Sequence, residues 1–558
     1  MREDLRPAPA RPAVPVPGGR SRSRRGLGPA GARRALLAGG LVVVVAVLAA
    51  VLYRAGTHAG PVDADSATVV LEGSAMAHGN LGLSGWALSR DSFWTIDALA
   101  NMLAVLVDGV RPVLLYAVPA VFAALVVVVA AALARAEQRR PGRLVAVLVV
   151  VAFLALPSRA LSLFYLQGPY HVGTALFALL AFACLRSRRF DAGWVVAVLL
   201  LGLGMLGDLQ LAVFGAAPAL GAGLLAMARR RDVRAGLSSA AAAPAAGLVD
   251  VVARFLADRF GTFTVNRANP QATLHEMLAN THDLARLTPS LLGVGAGPYI
   301  PPEPTGMPAA LSDLHVVLIV VLLLGVLAAV GTAVVGVVRG SDARIGAEVD
   351  DWHVEDLLVL AFLADVATFL RLDFGGNPQF ARYLTAAIIF GAILAARLAG
   401  RGVDLAARWR RAVPAAVAGT VALVACFAGG FADSVAGASA WNPATTLAAQ
   451  LEQRHLYAGV GDYWSASIVT VESAGSVVVR PVVDGSDGIV HRYSRENDVA
   501  WYVHHRFRFV VADVGLGLVQ PAAVKASFGQ WASSFTSGPY VVYVYAHPFS
   551  VSTVPAGA

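Results

Sequence analysis

Long apolar runs fill most of the chain and are separated by short polar segments rich in arginine. Four of these runs hold almost no charge over about 18 residues or more; they are 35–53, 113–134, 316–338 and 412–430. A helix of that length is long enough to cross a ~30 Å hydrocarbon core. Because lipid offers no hydrogen bonds to the backbone, such runs predict helices. After residue 431 the pattern changes to short runs of β-branched residues, which predict strands.

Clusters of arginine alternate with the apolar runs, and loops that carry such clusters are typically cytoplasmic. The clusters lie at 135–143, 186–189, 229–234, 339–344 and 397–411. Placing all of them in the cytoplasm predicts about eleven spans, with the N-terminus inside and the C-terminus outside. The predicted spans are 35–53, 113–134, 144–157, 172–185, 193–206, 211–228, 236–256, 313–338, 355–370, 383–398 and 412–430.

The same pattern divides the chain into three parts. Residues 1–34, rich in Pro, Gly and Arg, predict a disordered cytoplasmic arm, and the lack of a clear cleavage site favours an uncleaved anchor over a signal peptide. Residues 35–430 predict a polytopic transmembrane helical bundle with two long outer loops, 54–111 and 257–312. Residues 431–558 predict a small β-rich or α+β extracytoplasmic domain. The predicted fold class is therefore mainly α, and the predicted location is the plasma (inner) membrane.

Four strands are predicted in the C-terminal domain, at Ser467–Val471, Ser476–Val483, Phe507–Ala512 and Tyr540–Ala546. Aromatic side chains are dense there, Tyr463, Trp464 and Trp501 among them. Such rings stack on the faces of sugars, although core packing and an interfacial aromatic belt explain the same density.

Composition supports the membrane assignment. Of 558 residues, 57% are hydrophobic and only 14% are charged, whereas soluble domains are nearer a quarter charged. The net charge of +8 comes from arginines beside the spans, which indicates a membrane surface rather than nucleic acid. Cys184 and Cys426 both lie inside apolar runs, so neither a disulfide nor a zinc site is predicted. The sequence has no phosphate-binding P-loop, no Gly-x-Gly-x-x-Gly after a strand and no His-Glu-x-x-His.

Two aspartates at the start of the first outer loop are the strongest candidates for chemistry. Asp63 and Asp65 lie two residues apart, shortly after the first predicted span. Side chains at i and i+2 of an extended segment face the same way. The pair could therefore hold a divalent metal such as Mg or Mn, or one carboxylate could act as a general base. A solvated pair of loop residues is the plainer alternative.

Two further polar residues lie beside apolar runs and are candidate substrate-binding residues. Asp208 follows the fifth predicted span, and a carboxylate at membrane depth is costly unless it faces a cavity or a partner. A tight outer turn, where Asp is favoured, is the alternative. His171 precedes the fourth predicted span and is either a cavity residue or an ordinary interfacial side chain.

The span pattern and two short motifs resemble the GT-C superfamily of glycosyltransferases, which are multi-span enzymes that take a sugar from a polyprenyl-phosphate donor at the outer membrane face. Members carry an acidic motif in the first outer loop, where this chain has Asp63 and Asp65. The segment 381–384, Ala-Arg-Tyr-Leu, is similar to the Arg-Tyr-Leu that often opens a late span in such enzymes. The second outer loop, 158–171, lacks the second acidic motif of the oligosaccharyltransferase members. This departure favours a metal-independent use of Asp63 or Asp65 as the base.

The resemblance implies a membrane glycosyltransferase that modifies a glycan, lipid or protein of the cell envelope. Asp63 or Asp65 would deprotonate the acceptor hydroxyl. Arg382, with Tyr383 beside it, and Arg371 would hold the leaving phosphate, although snorkelling to lipid headgroups also explains these arginines.

Two other functions stay open on the sequence alone. They are a transporter or flippase of a lipid-linked envelope precursor and a non-enzymatic envelope scaffold. The expected partners are membrane lipid, a polyprenyl-phosphate-linked sugar donor and an envelope acceptor, and no nucleic acid.

Overall fold

The computed structural model describes residues 29–136, 138–187, 189–229, 233–265, 271–295, 313–339, 352–373, 376–407, 409, 411–440 and 442–553. The chain divides into two units, Met1–Val44 and Val45–Ala558, and the second contains nearly all of the described residues. Most of the predicted arm, residues 1–28, lies outside the described residues. The first helix begins at Pro29, inside the segment that was predicted to be disordered.

Helices make up most of the described chain. They are α1 Pro29–Ala59, α2 Ala64–Ala77, α3 Leu99–Asp108, α4 Leu114–Arg135, α5 Arg140–Val150, α6 Arg159–Tyr165, α7 Val172–Leu185, α8 Ala192–Gly207, α9 Ala217–Ala228, α10 Val233–Arg259, α11 Leu274–Leu291, α12 Val316–Arg339, α13 Trp352–Arg371, α14 Thr385–Ala406, α15 Ala412–Ser434, α16 Pro443–Gln453, α17 Tyr463–Glu472 and α18 Pro521–Phe528. Single π-helical turns lie at Trp94–Ala98, Val151–Ala155 and Ala212–Ala216, and 3-10 turns lie at Pro378–Leu384 and Val499–Trp501.

The strands are short and most lie in the C-terminal domain. They are β1 Trp86–Leu88, β2 Thr264–Val265, β3 Ala458–Asp462, β4 Val478–Asp484, β5 Val490–Arg492, β6 Asn497–Asp498, β7 Phe507–Asp513, β8 Ser533–Ser537 and β9 Tyr540–Phe549.

Six helices in the described part of the chain are long and apolar enough to cross a membrane, which identifies an integral membrane protein. They are Ala35–Ala59, Leu114–Arg135, Gly236–Arg259, Val316–Val338, Gln379–Ala406 and Ala412–Ser434. A seventh is added if the pair Arg140–Ala155 and Arg159–Tyr165, bent by 80°, is counted as one span. Helices α7, α8 and α9 lie in the predicted span regions and are shorter. The count of about eleven spans and the N-in/C-out orientation therefore stay predictions.

Helix α14 is the centre of the bundle and packs against α5, α12 and α13. The ring of its Phe390 lies 6.2 Å from that of Phe182 and 5.7 Å from that of Phe214. A Cβ on Gly325 would lie 2.6 Å from the backbone of Ala395, so glycine lets the α12 and α14 backbones approach closely. By contrast, few side chains of α15 are buried, as expected of a helix that faces lipid.

One end of the bundle holds buried ion pairs. Arg229 Nη1 lies 2.6 Å from Asp356 Oδ2, and Arg397 Nε lies 2.9 Å from Glu355 Oε1. The side-chain amide of Gln138 donates to the carbonyl of Arg397 at 3.3 Å. This end therefore gathers three of the regions that carry the predicted cytoplasmic arginine clusters.

The C-terminal domain is α/β, which confirms its predicted strand-rich character. Its six strands run in the order β5-β4-β3-β7-β9-β8, and β3 is parallel to both β4 and β7. Helix α17 connects β3 to β4. Strands β4, β7 and β9 overlap three of the four predicted strands.

The fourth predicted strand, Ser467–Val471, is wrong, because this segment lies inside helix α17. Asp462 caps the helix by accepting a hydrogen bond from the Ser465 N–H at 3.1 Å. Its β-branched side chains are buried on several faces, so a short apolar run of this kind has no helical period to distinguish it from a buried strand.

A separate three-stranded sheet joins distant parts of the chain. Strand β1 from the first long loop pairs in parallel with β2, which follows α10, and antiparallel with β6 of the C-terminal domain. Trp86 of β1 is buried, and its ring lies 4.8 Å from that of Trp501. The first loop is therefore folded against the C-terminal domain.

Candidate active site

A cavity of about 430 Å³ lies between the helical bundle and the C-terminal domain, a volume within the range of ligand pockets. Its wall combines side chains of α2 and the following loop, the start of α7, the connection from α13 to α14, and the C-terminal domain. Helices α13 and α14 form a hairpin. Thr368 and Arg382 line the cavity near its turn, whereas Glu355 and Arg397 pair at the other end.

An ion pair between Asp65 and Arg382 lies in this wall. Arg382 Nη1 is 3.2 Å from Asp65 Oδ2, and the Tyr463 hydroxyl donates to Asp65 Oδ1 at 2.6 Å. The two charged side chains keep 24% and 25% exposure, so both are reachable from the cavity. The structure thus brings together an aspartate of the first loop, a late arginine and a tyrosine of the C-terminal domain.

Three aromatic rings fix the guanidinium of Arg382. Its Cζ lies 5.4 Å from the ring centre of Tyr170, 5.7 Å from that of Phe380 and 5.4 Å from that of Tyr383. These are distances at which an aromatic face attracts a cation. The 3-10 turn Pro378–Leu384 supplies Phe380, Arg382 and Tyr383, so two residues of the Arg-Tyr-Leu segment, Arg382 and Tyr383, line the cavity.

Asp63 has a different role from Asp65, and the prediction of an extended pair is wrong. Asp63 is the N-cap of α2 and accepts hydrogen bonds from the Ser66 N–H at 3.2 Å and from the Tyr170 hydroxyl. Asp65 is already in the first helical turn and has its own partners. Burial, and after it the charge of Asp65, raises the pKa of Asp63 to about 7.

The same geometry bears on the predicted metal. In the described ranges, no group of three His, Cys, Asp or Glu side chains has the geometry to hold an ion. Asp63 is taken up by Ser66 and Tyr170, and Asp65 by Arg382 and Tyr463. This donor set does not fit Mg or Mn, which prefer several converging oxygen ligands. The predicted metal therefore has no such ligand set among the described residues and stays a prediction.

Three carboxyl groups at the cavity were not predicted: Glu72, Asp91 and Glu496. Burial first, and then the charge of Glu496, raises the pKa of Glu72 well above its usual range. Burial first, and then the charge of Asp65, raises the pKa of Glu496 to about 7. Glu72 follows Asp65 by about two helical turns on one face of α2, a spacing that could have revealed it. Nothing in the sequence singles out Glu496.

His171 and Asp208, predicted separately, form one hydrogen-bonded pair. His171 Nδ1 lies 2.7 Å from Asp208 Oδ2, which also accepts from the Thr174 hydroxyl. Asp208 Oδ1 accepts a hydrogen bond from the Gln210 N–H at 2.9 Å. The Asp208 carboxylate therefore lies in a turn, as one alternative predicted, and also has a side-chain partner in His171, as the other predicted. Asp208 is fully buried, whereas His171 lines the cavity.

Arg371 is not brought to the cavity. It is exposed, and its carbonyl accepts from the Ala272 N–H at 2.9 Å. Thr368 and Leu372, four residues apart, take the cavity-facing side, and Arg371 is turned about 100° away from Leu372 along the helix. Its predicted role as a phosphate ligand therefore has no support from a contact in the described structure.

The C-terminal domain supplies an aromatic part of the wall. Tyr463, Trp464 and Tyr493 all line the cavity, and the Tyr463 and Tyr493 rings stack with centroids 4.7 Å apart and planes at 19°. The other polar wall residues of this domain are Arg495 and Glu496. A polar and aromatic wall of this kind suits a hydroxyl-rich ligand such as a sugar.

Comparison with known proteins gives structural similarity only. No protein-family model matches the chain, and no curated protein matches it by sequence. The fold is similar to a crystal structure of ArnT from Cupriavidus metallidurans in the apo state, at 12% identity and a TM-score of 0.47, over 94% of this chain and 100% of that one. A second ArnT structure from that organism, bound to undecaprenyl phosphate, has 13% identity and a TM-score of 0.42, over 90% of this chain and 98% of that one.

Proposed function

We propose that this protein is a membrane glycosyltransferase that moves a sugar from a polyprenyl-phosphate donor to a cell-envelope acceptor. The observation that supports it most is the accessible Asp65–Arg382 pair, 3.2 Å apart, in a cavity of about 430 Å³. A base and a phosphate-binding cation are the two groups that such a transfer requires.

Asp65 is the base in this proposal. Both of its oxygens are occupied in the structure, by Tyr463 and by Arg382. A donor phosphate that binds Arg382 competes for that guanidinium and leaves Asp65 Oδ2 free to accept a proton. The acceptor hydroxyl then gives its proton to Asp65, and its oxygen bonds to the anomeric carbon. The bond from that carbon to the phosphate oxygen breaks, and its electron pair leaves with the phosphate.

Asp63 is a positioning residue rather than the base. It does not line the cavity, and its hydrogen bonds tie the start of α2 to Tyr170, whose ring contacts Arg382. The N-cap of α2 therefore fixes both members of the Asp65–Arg382 pair.

The outer membrane face is the proposed side of the reaction. The described residues of the arginine clusters near Gln138, Arg229 and Arg397 meet at the end of the bundle opposite the cavity. Because basic segments stay in the cytoplasm, this arrangement supports a cavity that opens on the other side. The C-terminal domain, which supplies Tyr463 and Trp464, would then guide the acceptor from outside.

The alternatives require a different interior. A flippase or transporter needs a site near the midplane with access to both faces. In the described bundle the midplane around Phe390 is packed with Phe182 and Phe214. A scaffold has no need of a polar cavity lined by charged side chains. The geometry therefore supports an enzyme over both.

The proposal is tested by sugar transfer with the full-length protein in lipid. The donors are polyprenyl-phosphate mannose, glucose and arabinose, offered with envelope extracts as acceptors. Asp65→Asn should lower transfer about 10²–10⁴-fold, because it removes the general base. Asp63→Asn, which keeps an N-cap, should retain most activity.

The control is Asp108→Asn at an aspartate that is 66% exposed outside the cavity wall. This variant should be unchanged. Full activity of Asp65→Asn, or no transfer by the wild-type protein with any donor in the panel, would contradict the proposal.

A further inference from the structure

We infer that His171, oriented by Asp208, is the general acid that gives a proton to the departing phosphate. This inference rests on the proposed function and adds to it a second catalytic residue, which lines the same cavity as the base.

Tyr383 links this histidine to the phosphate-binding arginine. The His171 ring lies 5.1 Å from the Tyr383 ring with planes at 32°, and Arg382 Cζ lies 5.4 Å from the same ring. Arg382 in turn contacts Asp65. A phosphate held by Arg382 would therefore lie in the same cavity as Asp65 and beside the Tyr383 ring that His171 contacts.

Only one ring nitrogen of His171 is available to a ligand. Nδ1 is engaged by Asp208 at 2.7 Å, and within the described chain no residue hydrogen-bonds Nε2. Because His171 is part of the cavity wall, Nε2 is the atom that a bound phosphate can reach. A buried carboxylate behind Nδ1 stabilises the charged imidazolium and fixes its orientation, which is the arrangement that proton donation needs.

The backbone supports a role beyond packing. His171 has a left-handed φ of 62°, and Phe93, whose ring lies 5.5 Å away, has one of 51°. Left-handed backbone is unfavourable for a bulky aromatic residue such as Phe93 and is often found at functional sites. The left-handed backbone of His171 and of Phe93, together with the contact between their rings, sets the position of the imidazole at the wall of the cavity.

His171 and Asp65 each transfer one proton in the proposed step. Nε2 gives its proton to the oxygen that joined the sugar to phosphorus, while that oxygen keeps the electron pair of the broken bond to the anomeric carbon. Asp65 takes the proton of the acceptor hydroxyl. His171 leaves the step neutral and Asp65 leaves it protonated, and exchange with water restores both.

The test compares two donors in the full-length protein. One is the polyprenyl-phosphate sugar that the wild-type protein uses, chosen from mannose, glucose and arabinose. The other is its analogue with sulfur in place of the oxygen between sugar and phosphorus, whose leaving group needs no proton. His171→Gln should lower kcat about 10²-fold with the oxygen donor and less than about tenfold with the sulfur donor. Asp208→Asn should show the same selectivity with a smaller loss.

A matched control is His491→Gln. His491 also pairs with an aspartate, with Nε2 2.8 Å from Asp487 Oδ2, but it lies in the C-terminal domain outside the cavity wall. It should leave transfer from both donors unchanged. Activity of His171→Gln with the sulfur donor also shows that the variant is folded.

Two results would overturn the inference while leaving the proposed function intact. Either His171→Gln loses the same factor with both donors, which indicates support of the cavity alone, or it keeps full activity with the oxygen donor. A wild-type protein that transfers sugar from none of the three oxygen donors overturns the proposed function and this inference with it.

Discussion

The two ends of the helical bundle use arginine–carboxylate pairs in different ways. At the end opposite the cavity, Arg229 and Asp356 are 1% and 0% exposed and share two hydrogen bonds, at 2.6 and 3.2 Å. At the cavity, Arg382 and Asp65 keep about a quarter of their surface and share one contact at 3.2 Å. A buried pair cannot exchange partners without a large penalty. A partly exposed pair can exchange partners at a smaller penalty, and the proposed function requires this of a pair that binds substrate.

The largest expected effect is on stability, at the closed end. Arg229→Met should lower the free energy of unfolding by about 3–5 kcal/mol, because it leaves the Asp356 carboxylate buried without its guanidinium. Chemical denaturation in detergent measures the change. Arg229→Met combined with Asp356→Leu should recover part of the loss, and a single variant as stable as the wild type would contradict the comparison.

The next effect is on activity, at the open end. Arg382→Gln should lower sugar transfer about 10²–10³-fold, the usual cost of removing one strong donor to a developing anion, with little change in stability. Activity and thermal unfolding of the same sample separate the two quantities. An equal loss of stability in Arg229→Met and Arg382→Gln would show that both ion pairs are structural and would contradict the comparison.

A third effect is a pH dependence at the start of α2. The pKa of Asp63 is raised from 3.8 to about 7, so the folded protein keeps a proton that the unfolded chain loses near pH 4. The contribution of this group to stability is therefore present below about pH 4 and decreases as pH rises towards 7, by on the order of 1 kcal/mol per pH unit.

Asp63→Asn should remove this contribution to the decrease of stability with pH, as measured by a series of thermal melts between pH 4 and 7. Asp108→Asn, at an exposed aspartate, should keep it. An unchanged slope in Asp63→Asn would show that the group titrates as an ordinary surface carboxyl.

The smallest expected effect concerns the C-terminal domain. Tyr463→Phe removes the 2.6 Å hydrogen bond to Asp65 and should lower kcat about fivefold, the size of one hydrogen bond of ~1 kcal/mol. Tyr457→Phe is the control, since the Tyr457 hydroxyl contacts only the neighbouring His455 among the described side chains. Equal kcat values for both variants would mean that the domain does not tune the base.

Much of the bundle could be predicted from the sequence because a long apolar run allows few structures in lipid. Helix occupies all the segments that were predicted as spans, whereas the number of true crossings stays open, because helices such as α7, with 14 residues, are too short to decide. The Ser467–Val471 segment was predicted wrongly for the related reason that a short buried run carries no period.

The site was predictable only in part. Asp65 and Arg382 stand out because charge beside an apolar run is rare and costly. Their contact joins residues 317 positions apart, which no local pattern encodes. Glu496 lies in an irregular loop that the pairing of β6 with β1, and a hydrogen bond from the Ser89 N–H to Glu496 Oε1 at 2.7 Å, hold at the cavity. The extended geometry of the Asp63 and Asp65 pair was predicted wrongly because an N-cap and an extended segment look alike in sequence.

The small sheet of β2, β1 and β6 has a consequence for biogenesis. Its middle strand is made early in translation, and its last strand, Asn497–Asp498, is made hundreds of residues later. Until that strand emerges and docks, the loop that carries Glu496 has no partner strand, and the ribosome-bound intermediate has an incomplete cavity wall. A complete cavity would then be present only once nearly all of the polypeptide has been made, and the proposed sugar transfer could begin no earlier.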